Sequence, residues 1–321
     1  MKKTCYIVCL VLAALLAASC CKDSGKVRLL YWNIQNGMWD GQPDNYDRFV
    51  SWVKEQDPDI CVWCEATSIF VSNSTDKLPK EEKYLPDGWS ELAARYGHKY
   101  TFRGGERDNY PQVITSKYPI EEVARIIGNE ADSVVTHGAG WARIACCGKT
   151  LNIVTLHTWP QAYAFGIPKE DRDRSKAAHE GDLYRRMEME YICKHTIETV
   201  PEAKDQYWMM MGDHNARSRV DNWVYKMEEY APGLLTHDYI LQNTPYIDII
   251  HERNPQNFYS STGGKSRIDF VYATKPLYDA VEYAEIITDD YTRPVRDPQN
   301  LSNFWHPSDH RPIIVDFNLA K

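Results

Sequence analysis

Several strand-like runs of this 321-residue sequence end on acidic, amide or imidazole side chains: Asn33, Glu65, His157, Asp213 with Asn215, Asp269, and Asp309 with His310. Glu65, Asp213, Asn215, Asn33 and Asp309 offer hard oxygen ligands, which suit Mg²⁺ or Mn²⁺ rather than a thiolate-bound zinc. Asp213 and Asn215 stand two apart, so an extended segment would aim both at one side. A cation held there could neutralise phosphoryl oxygens and stabilise charge building on a leaving oxygen. An attacking water needs a base that titrates near neutral pH, and histidine is the side chain suited to it. Taken singly these residues carry little weight, because strand-end carboxylates often cap turns and a lone histidine usually packs or faces solvent. Their chemistry counts only if the fold brings them together.

The elements that must do so are legible in outline. Val27–Asn33 and Asp59–Trp63 read as strands, separated by an amphipathic helix over Tyr46–Glu55 that Asp57-Pro58 terminates. A helix near Trp89–Tyr96 precedes strands at Tyr100–Phe102 and Val113–Ser116. Trp141–Ala145 and Leu151–Leu156 form a hairpin across Cys147-Gly148-Lys149. A helix spans Tyr184–Thr199 with Met187, Tyr191, Ile192 and His195 on one face. Strands follow at Tyr207–Met211, Tyr246–Ile250, Ile268–Tyr272 and Ile313–Asp316. Residues 161–182 carry charges of both signs in near balance, the mark of a solvated surface. Because they directly follow the His157 strand, they are also placed to shape a substrate mouth. No repeat and no linker divides residues 27–321, which read as one domain.

In this order the pieces resemble the endonuclease/exonuclease/phosphatase family of deoxyribonuclease-like phosphoesterases. Tyr31-Trp32-Asn33-Ile34-Gln35-Asn36-Gly37 looks like its first motif, and Asp57-Pro58-Asp59-Ile60-Cys61 up to Glu65 like its second. Ser116-Lys117-Tyr118-Pro119-Ile120 echoes a mid-chain turn, and Asn152 to His157-Thr158 the histidine motif. Gly212-Asp213-His214-Asn215 fits a pattern that usually has an aromatic where His214 stands. Ser266-Arg267-Ile268-Asp269-Phe270-Val271 and Ser308-Asp309-His310-Arg311-Pro312-Ile313 complete the set. The resemblance implies an α/β (α+β) fold, a four-layer α/β/β/α sandwich of two mainly antiparallel sheets flanked by helices. It implies His310 as general base oriented by Asp269, and His157 at the phosphoryl oxygens or leaving group. Asp213 would position the water, Asn215 and Asn33 would hold phosphate or complete the metal shell, Glu65 would be the principal metal ligand, and Asp309 a further one.

The first residues suggest export. Met1-Lys2-Lys3 is basic, Tyr6–Ala18 is apolar but short for a bilayer span, and Leu16-Ala17-Ala18-Ser19-Cys20 looks like a lipobox. The expectation is a signal peptide over 1–19, lipidation at Cys20, a tether over 20–26, and an envelope-anchored monomer. Formal charge is −8, and −10 without residues 1–19, since these hold Lys2, Lys3 and no acid. That balance disfavours broad attraction to polyanions without excluding nucleic acid as substrate. A phosphorylated glycan, an inositol phosphate or a lipid headgroup fits equally. Trp39, Trp159, Tyr163, Phe165 and Trp305 flank the motifs and could stack on a base, sugar or headgroup. Arg267 reads as the partner of a surface carboxylate rather than of phosphate, and His214 as packing or as a donor beside the metal.

Two other classes compete. A binding lipoprotein that kept the fold would need neither His310 nor its carboxylate neighbours. A zinc or thiol-redox protein built on Cys61 and Cys64 fails because residues three apart on a strand face opposite ways. Cys61, Cys64, Cys146, Cys147 and Cys193 are an odd remainder after the leader and a poor disulfide framework.

Overall fold

Period-two alternation in the strands of this chain serves two interiors at once. In β1 (Lys26–Asn33), Val27, Leu29 and Tyr31 face one cluster of buried side chains while Leu30 and Trp32 face another. The same split holds in β2 (Ile60–Cys64), with Ile60, Val62 and Cys64 on the first side and Cys61 and Trp63 on the second. Strands buried on both faces read as continuous apolar runs, as these do. A computed structural model describes residues 25–38, 46–66, 88–105, 110–296 and 305–321. The expected signal peptide, Cys20 and Trp39 lie outside these residues.

The remaining strands are β3 (Tyr100–Arg103), β4 (Val113–Ser116), β5 (Ile120–Ile126), β6 (Ala139–Cys146), β7 (Lys149–His157), β8 (Tyr207–Asp213), β9 (Ile247–Asp248), β10 (Asp269–Ala273), β11 (Val281–Ile286), a ribbon of β12 (Val295–Arg296) with β13 (Trp305–His306), and β14 (Ile313–Asn318). They build two six-stranded sheets, ordered β11-β14-β1-β2-β4-β3 and β5-β6-β7-β8-β10-β9. Each sheet is antiparallel except at one central pair, β1 with β2 and β7 with β8. Leu151, Ile153, Met209, Met211, Val271, Val315 and Phe317 fill the space between the sheets together with the inner residues of β1 and β2. Each fully buried aliphatic there contributes roughly 1.5–3 kcal/mol.

Helices cover the outer faces. α1 (Asp47–Gln56) and α2 (Gly88–Arg95) put Phe49, Trp52, Trp89 and Leu92 against Leu30, Trp32 and Trp63. α3 (Glu180–Lys194) and α4 (Leu235–Asn243) cover Leu156, Trp208 and Phe270 of the second sheet. The result is the four-layer sandwich that the motif resemblance implied.

Departures from the expected elements have local causes. β5 and β11 were not expected; both are edge strands whose Glu121, Glu122, Tyr283 and Glu285 face outward, which hides the apolar alternation. The strand expected over Tyr246–Ile250 is only Ile247–Asp248, because Asp248 accepts a bond from His251 N at 3.2 Å and starts a helix over Ile249–Arg253. α3 begins at Glu180 rather than Tyr184 and ends at Lys194. Of the face expected to be buried, Tyr191 and Ile192 are, but Met187 is 47% exposed and His195 is exposed, and the inner face also carries Arg185 and Glu188. Cys61 and Cys64 do point to opposite sides, and both are free and buried.

Candidate active site

Strand parity delivers the polar residues to one place. On β8, Met209 and Met211 face the space between the sheets, so Asp213 continues that row. Asn33 continues the row of Leu29 and Tyr31, His157 that of Leu151 and Ile153, and Asp269 opens the row of Val271 and Ala273. Register aligns them laterally: His157 pairs with Asp213 across β7–β8, and Asp269 pairs with Asp213 across β8–β10. Apolar residues therefore fill the gap between the sheets until the strands end, and polar ones close it. Glu65 follows β2 in a left-handed conformation (φ 54°).

Asp213 is the hub. Its Oδ2 accepts from Asn33 Nδ2 at 3.1 Å and lies 3.7 Å from both His157 Nε2 and His310 Nε2. Asn33 Nδ2 also reaches Glu65 Oε1 at 3.2 Å, while its Oδ1 accepts from Gln35 N. His310 Nδ1 bonds Asp269 Oδ2 at 2.7 Å, and Tyr31 OH donates across the gap to Asp269 Oδ1 at 2.7 Å. Ser308 bonds Asn33 O and receives His310 N, which fixes the loop before β14.

Electrostatics follow from crowding in a dry site. Burial, then the Asp269 charge, push the Asp213 carboxyl well above its usual range. Burial would depress the His310 imidazole, but Asp269, Asp309 and Asp213 together lift it well above the ordinary histidine range. His157 moves the other way, lowered by burial and by His137 and His310, so it is neutral at pH 7. The site thus holds more carboxylate than its own cations balance.

That imbalance is the test of whether a metal fits. Ligand atoms of Glu65, His157 and Asp213 lie within 4.8 Å of one another, as do those of Asp213, Asp269 and His310. The first cluster, with two carboxylates bridged by the Asn33 Nδ2 and one imidazole, is an oxygen-rich donor set suited to a hard divalent cation; Asn33 itself turns its amide nitrogen, not an oxygen, to it. Among the described residues the expected site residues do converge, with two qualifications. Asp309 belongs to neither cluster; it is half-buried, with Oδ1 3.7 Å from His310 Nε2. Asn215 does not extend beside Asp213, because its backbone is left-handed (φ 45°), a conformation asparagine tolerates. Its N–H instead bonds Asp213 Oδ1 at 2.8 Å, and its Nδ2 bonds Thr158 O at 3.0 Å.

Arg267 pairs with carboxylates, but buried ones: Nε meets Asp221 at 2.7 Å and Nη2 meets Asp248 at 2.7 Å, over the Phe270 ring. It braces β10 and does not reach the site. His214 packs between His237 and Phe270, its Nδ1 on Gly212 O, with its pKa lowered by burial to about 4. Tyr163 and Phe165 each pack on Trp159, whereas Trp305 lies in the β12–β13 ribbon.

Three further residues belong to this neighbourhood. Tyr31 stands two residues before Asn33 on β1, and only the facing sheet reveals that its hydroxyl meets Asp269. The His137 ring lies 4.5 Å from that of His157 and 6.1 Å from Trp159, extending the aromatic row inward. Glu188 of α3, fully buried, accepts from Thr136 N at 2.8 Å and Trp159 N at 2.7 Å, tying the two loops that carry those rings. In sequence, Glu188 is only one more acid in a charged helix, and nothing there marks it for burial.

Known structures share this architecture. An AP endonuclease from Archaeoglobus fulgidus superposes with a TM-score of 0.60 at 17% identity, over 91% of this chain and 99% of that one. Humanized D. rerio TDP2 gives 0.55 at 15% identity over 92% and 100%. The 3′ phosphatase NExo from Neisseria, bound to product DNA hairpin, gives 0.57 at 15% identity over 91% and 99%. At such identities the likeness is one of fold. No curated protein sequence matches the chain. The endonuclease/exonuclease/phosphatase family model matches residues 30–310, from β1 through His310, and the chain belongs to that family.

Proposed function

We propose that the chain is a metal-dependent hydrolase of phosphodiester or phosphomonoester bonds. The observation that carries this reading is the 2.7 Å His310–Asp269 pair, placed with His310 Nε2 toward the same Asp213 carboxylate that Glu65 and His157 surround. Mg²⁺ or Mn²⁺ would be held by Glu65 together with Asp213 of the same cluster; Asn33, whose Nδ2 bonds both carboxylates, would brace them, and Asp309 would complete the shell from the His310 side. When bound, the cation supplies charge neutralisation at the phosphoryl and leaving oxygens. Asp269 fixes the imidazole so that Nδ1 carries its proton and Nε2 is the atom that takes one from the attacking water. Asp213 positions that water, and Asn215 holds a phosphoryl oxygen. Neutral His157 donates a hydrogen bond to the phosphoryl group or the leaving oxygen. The substrate is a phosphorylated glycan, inositol phosphate, lipid headgroup or nucleic acid, and the Trp159 aromatic row suits a ring next to the phosphate.

The enzyme works outside the cytoplasm as a monomer anchored by a lipid on Cys20, a reading supported by the sequence of residues 1–20 alone. The test of the activity uses an activated phosphodiester and the matching monoester with Mg²⁺, Mn²⁺ or chelator, beside His310→Ala and Asp213→Ala. Metal-dependent turnover lost in both variants is expected. A folded protein that turns over neither ester under any metal would return weight to a binding lipoprotein.

A further inference from the structure

Beside Asn215 a cavity of about 330 Å³ opens between the start of α3 and the loop that follows β8. His179, Asp182 and Arg185 form one wall, and Asn215, Arg217 and Gly233 line the other side. The charges are unequal. The Arg185 charge is balanced by Asp182 at 2.5 Å, and its Nη1 also donates to the carbonyls of Trp159 and Gln161 at 2.9 Å. Asp182 is thereby occupied, with His179 Nδ1 a further 3.4 Å from its other oxygen. Arg217 has no carboxylate partner among the described residues; its guanidinium rests on the Tyr225 ring, 4.9 Å from the centroid, and its N–H bonds Gly233 O. The cavity therefore carries one uncompensated guanidinium, two residues along the chain from Asn215, in a protein of net charge −8.

We propose that this cavity receives a second phosphate group of the substrate, bound by Arg217, while the scissile phosphate lies at the Asp213 cluster. The proposal rests on the hydrolase reading for the position of the first phosphate. A guanidinium resting on an aromatic ring, with no ion-pair partner among the described residues, is placed to take a phosphate through paired N–H donors. Asp182, on the wall opposite Arg217, repels a misplaced anion. The 161–182 stretch enters here through His179, at the junction of that stretch with α3.

The experiment measures binding rather than turnover, so that it stands apart from the test of hydrolysis. Non-hydrolysable alkylene bisphosphonates with spacers of three to six carbons are titrated by calorimetry in excess Mg²⁺ against the matching monophosphonates. At the best spacer the wild type is expected to bind the bisphosphonate about tenfold or more tighter, the gain from a charge-assisted phosphate contact. Arg217→Ala removes that gain, and Arg217→Lys restores part of it. Glucose 1,6-bisphosphate and the dinucleotide pTpT, run as competitors, distinguish a sugar phosphate from a nucleic acid as the source of the second phosphate. A preference that never exceeds the statistical factor of about two for a two-ended ligand, or one that survives Arg217→Ala, overturns the proposal. Binding discrimination in a protein that hydrolyses no ester would overturn the hydrolase reading alone.

Discussion

Replacing Asp269 by asparagine should disable the site in a specific way. Asp269 accepts two donors, Tyr31 OH on Oδ1 and His310 Nδ1–H on Oδ2, each at 2.7 Å. An amide has one acceptor oxygen, so one donor must lose its partner. If the amide nitrogen faces His310, Nδ1 must give up its proton, Nε2 gains it, and the base is lost. If it faces Tyr31, the tautomer survives but a charge-assisted bond of about 1.5–3 kcal/mol becomes a neutral one of about 1 kcal/mol, a factor of roughly 2–30 in rate. Averaged over both orientations, kcat on an activated diester is expected to fall about 10–100-fold or more. KM should stay within about twofold, because Asp269 is buried behind His310 and touches no substrate. The pH profile adds a sign. Activity rises as His310 loses its proton, and Asp269 is the largest of the charges that lift its pKa, so the variant's acid limb moves to lower pH. Adding Tyr31→Phe to Asp269→Asn, as the double variant Y31F/D269N, frees the amide oxygen for His310 and should recover part of kcat. An acid limb that does not move, or a kcat within about twofold of wild type, would refute the assignment of His310 as base.

Divalent cation should raise the thermal midpoint of the wild type, by the equivalent of about 2–3 kcal/mol at a hundred times Kd, and Glu65→Gln should lose most of that shift; an undiminished shift places the ion elsewhere. Trp159→Ala should raise KM for the true substrate about tenfold through loss of ring stacking, and an unchanged KM would remove the aromatic row from recognition. His98, bonded to Thr115 and Pro58 O, has its pKa lowered by burial to about 4 from 6.5. The unfolded chain therefore binds the extra proton first. The stability held above about pH 6.5 should fall by about 3 kcal/mol as pH drops to about 4, and His98→Gln should flatten that slope in urea titrations. An equally steep slope in the variant would assign the loss to other groups.

Much of this molecule is written locally. The apolar runs of β1, β2, β7 and β8 announce strands buried on both faces, and the polar residue closing each run is fixed by the pleat once the strand exists. Pleat parity is also why Cys61 and Cys64 could be separated on paper. Edge strands β5 and β11 are not legible because a solvated face carries no hydrophobic signal, and the inner face of α3 is legible at Tyr191 and Ile192 but not at Arg185 and Glu188, which are buried through partners distant in sequence. The convergence itself belongs to tertiary structure. Tyr31 and Asp269 sit 238 residues apart on different sheets, and their bond depends on how the two sheets stack. The left-handed turn at Asn215, the half-buried place of Asp309 and the seat of the Arg217 guanidinium on the Tyr225 ring follow from the same packing. Residue types and spacing determined which chemistry this chain could perform; only burial, by removing water and crowding unlike groups together, decided which of those groups meet and in which protonation state.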